Sequence, residues 1–212
     1  MRPSDLSATL IANFEVSSEA YYTKALTHPS WPEGASGVTI GIGYDLGYET
    51  STQIAVDWAD LVPPAMLAAM QHCAGVRAAR AQLLLASVRP AIAIPYAAAL
   101  RVFEDRTLPR YADGTLAAMP RCSDLSPDSF GALVSISYNR GYNGWAMLDD
   151  RHREMASIRK AIAGGCPEQV AALIRAMKRL WVDARGAPLP GMRGLLSRRD
   201  AEANLFEQGL AA

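Results

Sequence analysis

The chain carries no excess of charge. Its 212 residues hold 21 Lys plus Arg against 21 Asp plus Glu, for a formal net charge of zero. Phosphate binding rests on a cationic surface, so this balance argues against nucleic acid as the main partner, while leaving room for a local basic patch. Cysteine is scarce. Cys73, Cys122 and Cys166 are odd in number and none lies in a CxxC pair. They read as buried or free thiols, not as a disulfide framework or a redox site. Histidine is as scarce: His28, His72 and His152 are widely separated and show no HxxxH or HExxH spacing. The expectation is no metal and no cofactor. No apolar run is long enough to span a bilayer. The segment from Met1 to Glu15 has no apolar stretch behind a basic start. The expectation is a soluble protein made in the cytoplasm without a cleaved leader. No internal repeat, low-complexity tract or linker interrupts the chain.

What the chain does have is apolar content. Half its residues are hydrophobic, enough for one large domain, or a domain with a subdomain, around a sizeable core. One run reads as a strand, Val38-Thr39-Ile40-Gly41-Ile42-Gly43-Tyr44-Asp45. Val38, Ile40, Ile42 and Tyr44 alternate with Thr39, Gly41, Gly43 and Asp45, the period of a strand. The second face carries a hydroxyl, two bare glycines and a carboxylate. Glycine in a strand often marks close approach of a ligand, so this face predicts the floor of a cleft.

Elsewhere the pattern is helical. Leu6, Leu10, Ile11 and Phe14 share one helical face behind a cap at Ser4 or Asp5, and Glu15 ends that helix. A short helix follows from Ser17 or Ser18 through Tyr21 and Tyr22. Residues 28 to 34, HPSWPEG, are turn chemistry. Helices are expected after Ser51, after Pro63-Pro64, around Leu83 to Val88, and around Ala99 to Arg106, where Pro109 ends the pattern and a loop runs to residue 125. Ser126-Pro127-Asp128 is a strong helix start, with a hydroxyl cap, proline in the first turn and an early acid. The helix behind it is apolar on most sides, hence buried, and ends at Tyr138-Asn139-Arg140-Gly141. Three more helices carry Met155 to Ile162, Val170 to Trp181 and Leu195 to Phe206. The fold class is α+β, mostly α.

Several side chains have two readings. Glu15 is either a solvated helix-end glutamate or a carboxyl kept partly dry beside Phe14. In the second case desolvation favours the protonated form, suited to a general acid. Asp45 is either a turn or cap acid or, by strand parity, a carboxylate on the face of Thr39. Two carboxyls in unlike surroundings are what glycoside hydrolysis requires. Arg198, Arg199, Asp200 and Glu202 read as a solvated helix face with local ion pairs. Trp31, Trp145 and Trp181 could stack on sugars, with the core preferred for Trp181.

Three segments, in order, carry a resemblance. Val38 to Tyr44 resembles the TIGxGH segment of phage-type lysozymes, meaning glycoside hydrolase family 24 and the related pesticin-like muramidases. Residues 132 to 141, ALVSISYNRG, are similar to the family's buried helix and its Phe-Asn-x-Gly turn. Residues 194 to 206, GLLSRRDAEANLF, are similar to its terminal GLxxRRxxExxLF helix. The resemblance implies a single lysozyme-like domain over 1–212, with a small β-containing lobe over about 15–50 and a larger helical lobe over about 51–212. It implies a muramidase acting on peptidoglycan glycan strands at the β-1,4 bond between N-acetylmuramic acid and N-acetylglucosamine. Glu15 takes the place of the acid that ends the family's first helix, and Thr39 that of its threonine. Tyr44, Tyr138 and Asn139 take cleft-lining places. Three departures stand out, the first being that the family's histidine after the strand is replaced here by Tyr44, followed by Asp45. The family's second carboxylate lies six residues before the threonine, where this chain has Glu33, while strand parity selects Asp45. The interval from Glu15 to Thr39 is also longer, with His28 to Trp31 in the extra length. The setting implied is a phage endolysin or a secreted antibacterial effector working in the periplasm, the latter with an immunity protein and secretion machinery as partners. The alternative is a wall-binding module without catalysis.

Overall fold

The computed structural model describes residues 1–211. Its mostly helical chain holds one small antiparallel sheet, and among the described residues no helix is long and apolar enough to cross a membrane. The chain divides into two compact units. One comprises Glu15–Thr107, the other Met1–Phe14 with Leu108–Ala212. Residues 51 to 107 therefore cluster with the hairpin, not with the later helices as expected.

Helix α1 (Asp5–Val16) ends one residue past Glu15, and only its last two residues fall in the unit Glu15–Thr107. Ser17 turns the chain with φ +62°, and Ser18 then caps α2 (Glu19–Ala25) by accepting from the Tyr21 amide. The apolar run is not one strand but a hairpin. Strands β1 (Thr39–Ile40) and β2 (Tyr44–Asp45) are joined by Gly41-Ile42-Gly43, with Thr39 opposite Asp45 and Ile40 opposite Tyr44. Both glycines have positive φ, +57° and +69°. Left-handed backbone closes a three-residue hairpin loop, and glycine adopts it without steric cost. At Gly41 a side chain would also press on Trp58 and Ala99, whose nearest atoms lie 3.3 and 3.4 Å from where its Cβ would stand. Alternating apolar residues hid this turn, because Ile42 at the loop tip is itself buried.

Helix α3 (Ser51–Trp58), capped by Thr50, meets the hairpin through Asp57 and Trp58 and packs on α4 (Pro64–His72), which has proline in its first turn. Helix α5 (Ala79–Val88) buries Ala81 and Val88 but leaves Leu83 exposed, so its leucine run is not a core segment. Helix α6 (Tyr96–Val102) runs into a π turn over Phe103–Thr107. Ile40, Tyr44, Leu46, Ile54, Trp58 and Ile92 are all buried here.

In the other unit, α7 (Leu108–Ala118) replaces the expected loop. Proline interrupts a regular helix because it lacks an N–H and its ring meets the preceding turn. A wider π turn just before it relieves both problems, and Pro109 sits in the first turn of α7. Helix α8 (Pro127–Arg140) starts as expected, its Ser126 cap accepting from the Ser129 amide, and is buried without a break from Ser129 to Tyr138. Helices α9 (Arg153–Gly164), α10 (Val170–Ala176) and α11 (Arg193–Ala211) complete the unit.

Helix α11 corrects a second expectation. Arg198, Arg199 and Glu202 are not solvated; Arg199 and Glu202 are fully buried. Glu202 Oε1 accepts from Ser135 Oγ of α8 at 2.6 Å, from Arg199 Nη2 at 2.8 Å and from Arg198 Nε at 3.1 Å. Its other oxygen lies 2.7 Å from Arg199 Nε. Arg198 also donates to the Ser135 carbonyl. A buried carboxylate is tolerable only when its charge is paired and hydrogen-bonded; α8 brings the Ser135 hydroxyl to Glu202 and the Ser135 carbonyl to Arg198.

Candidate active site

The hairpin places Thr39 by using up its backbone. Thr39 N–H donates to the Ser30 carbonyl at 2.8 Å, and Ser30 N–H donates to the Thr39 carbonyl at 3.0 Å. Both polar backbone groups of Thr39 thus point toward Ser30. The Thr39–Asp45 pair on the other edge is therefore of the non-hydrogen-bonded kind, in which opposed side chains lie closest. Opposed residues in an antiparallel pair also share a face. Thr39 and Asp45 accordingly share one, by pairing across the hairpin instead of alternation along one strand. Ile40 and Tyr44 occupy the opposite, buried face.

A pocket of about 190 Å³ opens within this unit. Glu15, His28, Ser30, Thr39, Gly41 and Gly43 line it, with Val16 and Leu26 among its apolar walls. Glu15 arrives from the last turn of α1 and is half-buried. Thr39 Oγ1 is buried and, among the described residues, has no hydrogen-bond partner. Buried hydroxyls are nearly always paired, so an unpartnered one on a pocket wall marks a place for a polar ligand atom or a water.

The two candidates for the second carboxylate are placed differently. Neither lines the pocket, where Glu15 is the acid present. Asp45 caps the 3₁₀ turn Leu46–Tyr48: its Oδ1 accepts from Gly47 N–H at 2.8 Å, and both its oxygens lie 3.0 Å from Gly37 N. A Cβ on Gly37 would collide with the Asp45 carboxylate and with Gly47, so this contact requires glycine. Burial raises the Asp45 carboxyl above its ordinary value of 3.8; the Gly37 and Gly47 amides and the Arg77 charge pull it back only in part. Glu33 is exposed in the turn before Gly34, with a left-handed φ of +74°.

Tyr44, expected at the sugar cleft, is buried instead. Its hydroxyl donates to Asp57 Oδ2 at 2.7 Å and its ring meets Trp58 edge-on at 5.4 Å. It faces inward because it is paired with Ile40. Tyr138 and Asn139 belong to the other unit, in the last turn of α8. Tyr138 packs on Tyr111 with ring centres 4.6 Å apart, and Asn139 is half-buried. Trp145 is fully buried, its Nε1 donating to Ser137 Oγ, whereas Trp31 and Trp181 are half-buried. His28 and Ser30 were not among the candidates. Their one sequence signal is the extra loop length, and only its bonding pattern brings them to the pocket.

No protein-family model and no curated protein matches the chain. Among solved structures it is similar to the active form of P1 phage endolysin Lyz. The two are 21% identical over 99% of this chain and 87% of that one, with a TM-score of 0.52. The likeness establishes a mostly α, lysozyme-like fold.

Proposed function

We propose that this protein is a peptidoglycan muramidase, cleaving the β-1,4 bond between N-acetylmuramic acid and N-acetylglucosamine. The observation that carries the reading is the presence of Glu15 and Thr39 on one pocket, with the Thr39 hydroxyl buried and without a hydrogen-bond partner among the described residues. The shared fold with a phage endolysin supports it. Glu15 protonates the departing glycosidic oxygen. Thr39 Oγ1 holds the water that adds to the sugar's anomeric carbon. Asp45 supplies the second, ionised carboxylate, stabilising the oxocarbenium-like state or orienting that water. It is the cross-strand partner of Thr39, and its amide contacts leave lone-pair capacity, since a carboxylate offers about four acceptor sites. Glu33 is the other candidate for this role.

The test is incubation with purified sacculi. New reducing ends of N-acetylmuramic acid are expected, with loss in Asp45→Asn and retention in Glu33→Gln. The reverse pattern assigns the second role to Glu33. One observation favours a different reading: neither second acid lines the pocket, as suits a module that binds glycan without cutting it. Sacculus binding without new reducing ends would establish that alternative. The setting is the periplasm of a bacterial cell, reached as an endolysin or as a delivered antibacterial effector. A neighbouring holin gene marks the first. A gene for an immunity protein beside secretion machinery marks the second.

A further inference from the structure

We propose that His28 is a substrate-binding residue whose Nε2 accepts a hydrogen bond from a hydroxyl or N–H of the amino sugar held beside Glu15 and Thr39. The inference rests on the muramidase reading above.

His28 lies in the loop between α2 and β1, and that loop is bonded at four successive residues. The Thr27 carbonyl accepts from Ile94 N–H at 2.8 Å. His28 Nδ1 lies 2.8 Å from the Ile92 carbonyl oxygen. The Pro29 carbonyl accepts from Arg89 Nη1. Ser30 exchanges both backbone bonds with Thr39. The segment 89–94 thus straps one side of the loop and the hairpin holds the other. Tyr22 fixes the strap in turn, its buried hydroxyl donating to the Ile94 carbonyl at 3.1 Å. Loops are ordinarily mobile; one tied at four successive residues carries the side chains there much as a strand does.

The strap also sets the chemistry of the ring. A carbonyl oxygen can only accept, so Nδ1 carries the proton. In the neutral ring the proton at Nδ1 leaves Nε2 as an acceptor. His28 is exposed and lines the pocket wall that also holds Glu15, Ser30 and Thr39. Amino sugars present hydroxyl and acetamido N–H donors, which such an acceptor fits. The Glu15 carboxyl on the same wall is committed by the proposed reaction to the glycosidic oxygen.

Two variants separate this role from a structural one. In His28→Asn the shorter amide can still donate to the Ile92 carbonyl but cannot reach the Nε2 position. In His28→Gln an amide oxygen can reach it. With a soluble tetrasaccharide of alternating N-acetylglucosamine and N-acetylmuramic acid, His28→Asn should raise KM by about tenfold, with kcat within about twofold and an unchanged melting temperature. His28→Gln should recover most of the affinity. A normal KM in His28→Asn overturns the proposal, as do equal losses in both variants accompanied by equal falls in melting temperature. Glu15→Gln is measured alongside. If it keeps full activity, the muramidase reading fails and takes the proposal with it. If it is inactive while His28→Asn is normal, only the role of His28 is lost.

Discussion

Asp45 is a structural residue that also stands across the hairpin from a pocket residue. Its carboxylate ties Gly37 to Gly47 and caps a turn, yet it stands opposite Thr39. Burial raises its pKa in the folded protein, so between the ordinary value of 3.8 and the raised one the native state binds more protons than the unfolded state. Stability must then fall as pH rises through that window. Asp45→Asn cannot titrate there. In urea unfolding from about pH 3 to neutrality, the wild type should lose stability relative to Asp45→Asn as pH rises. A flat or opposite difference would show that the amide contacts outweigh burial. Glu15 and Thr39, singled out by helix ending and motif, both line one pocket. Asp45 was less legible, because an acid before Leu46-Gly47 reads equally as cap and as catalyst, and here it is at least a cap. Tyr44 was misplaced for a related reason: alternation shows which residues share a face, but only pairing shows which face is buried.

Among elements, the hairpin and α11 were read from correct patterns with wrong consequences. Val38 to Asp45 alternates throughout, yet two left-handed glycines fold it back on itself, and the buried Ile42 keeps the alternation intact across the turn. In α11, charges three and four residues apart look the same on a solvated face as in a core. What distinguishes them is Ser135, 67 residues from Glu202 in sequence, whose hydroxyl bonds the carboxylate. Removing Glu202 would take from the fully buried Arg199 guanidinium the carboxylate that it pairs with. Glu202→Ala is therefore expected to lower the unfolding free energy by about 3–5 kcal/mol, read from the denaturant midpoint. A change below about 1 kcal/mol, the range of exposed ion pairs, would mean that the cluster is solvated. Pro109 misled in the same way: a helix stop by its own chemistry, it is accommodated by the π turn over Phe103–Thr107.

For the whole molecule, the mostly α fold with a small sheet was legible because capping residues, apolar periodicity and three ordered motifs agreed. The division into units was not, because it depends on which helices pack together, and periodicity carries no such information. The central claim is that Glu15 is the proton donor of a glycan-cleaving site, with Thr39 beside it on the pocket wall. General acid catalysis contributes about 10²–10⁴-fold in rate. The most direct test is release of N-acetylmuramic acid reducing ends from purified sacculi by Glu15→Gln at matched melting temperature. The expected result is a fall of about 10²–10⁴-fold with sacculus binding retained. Full activity in that variant would contradict the claim.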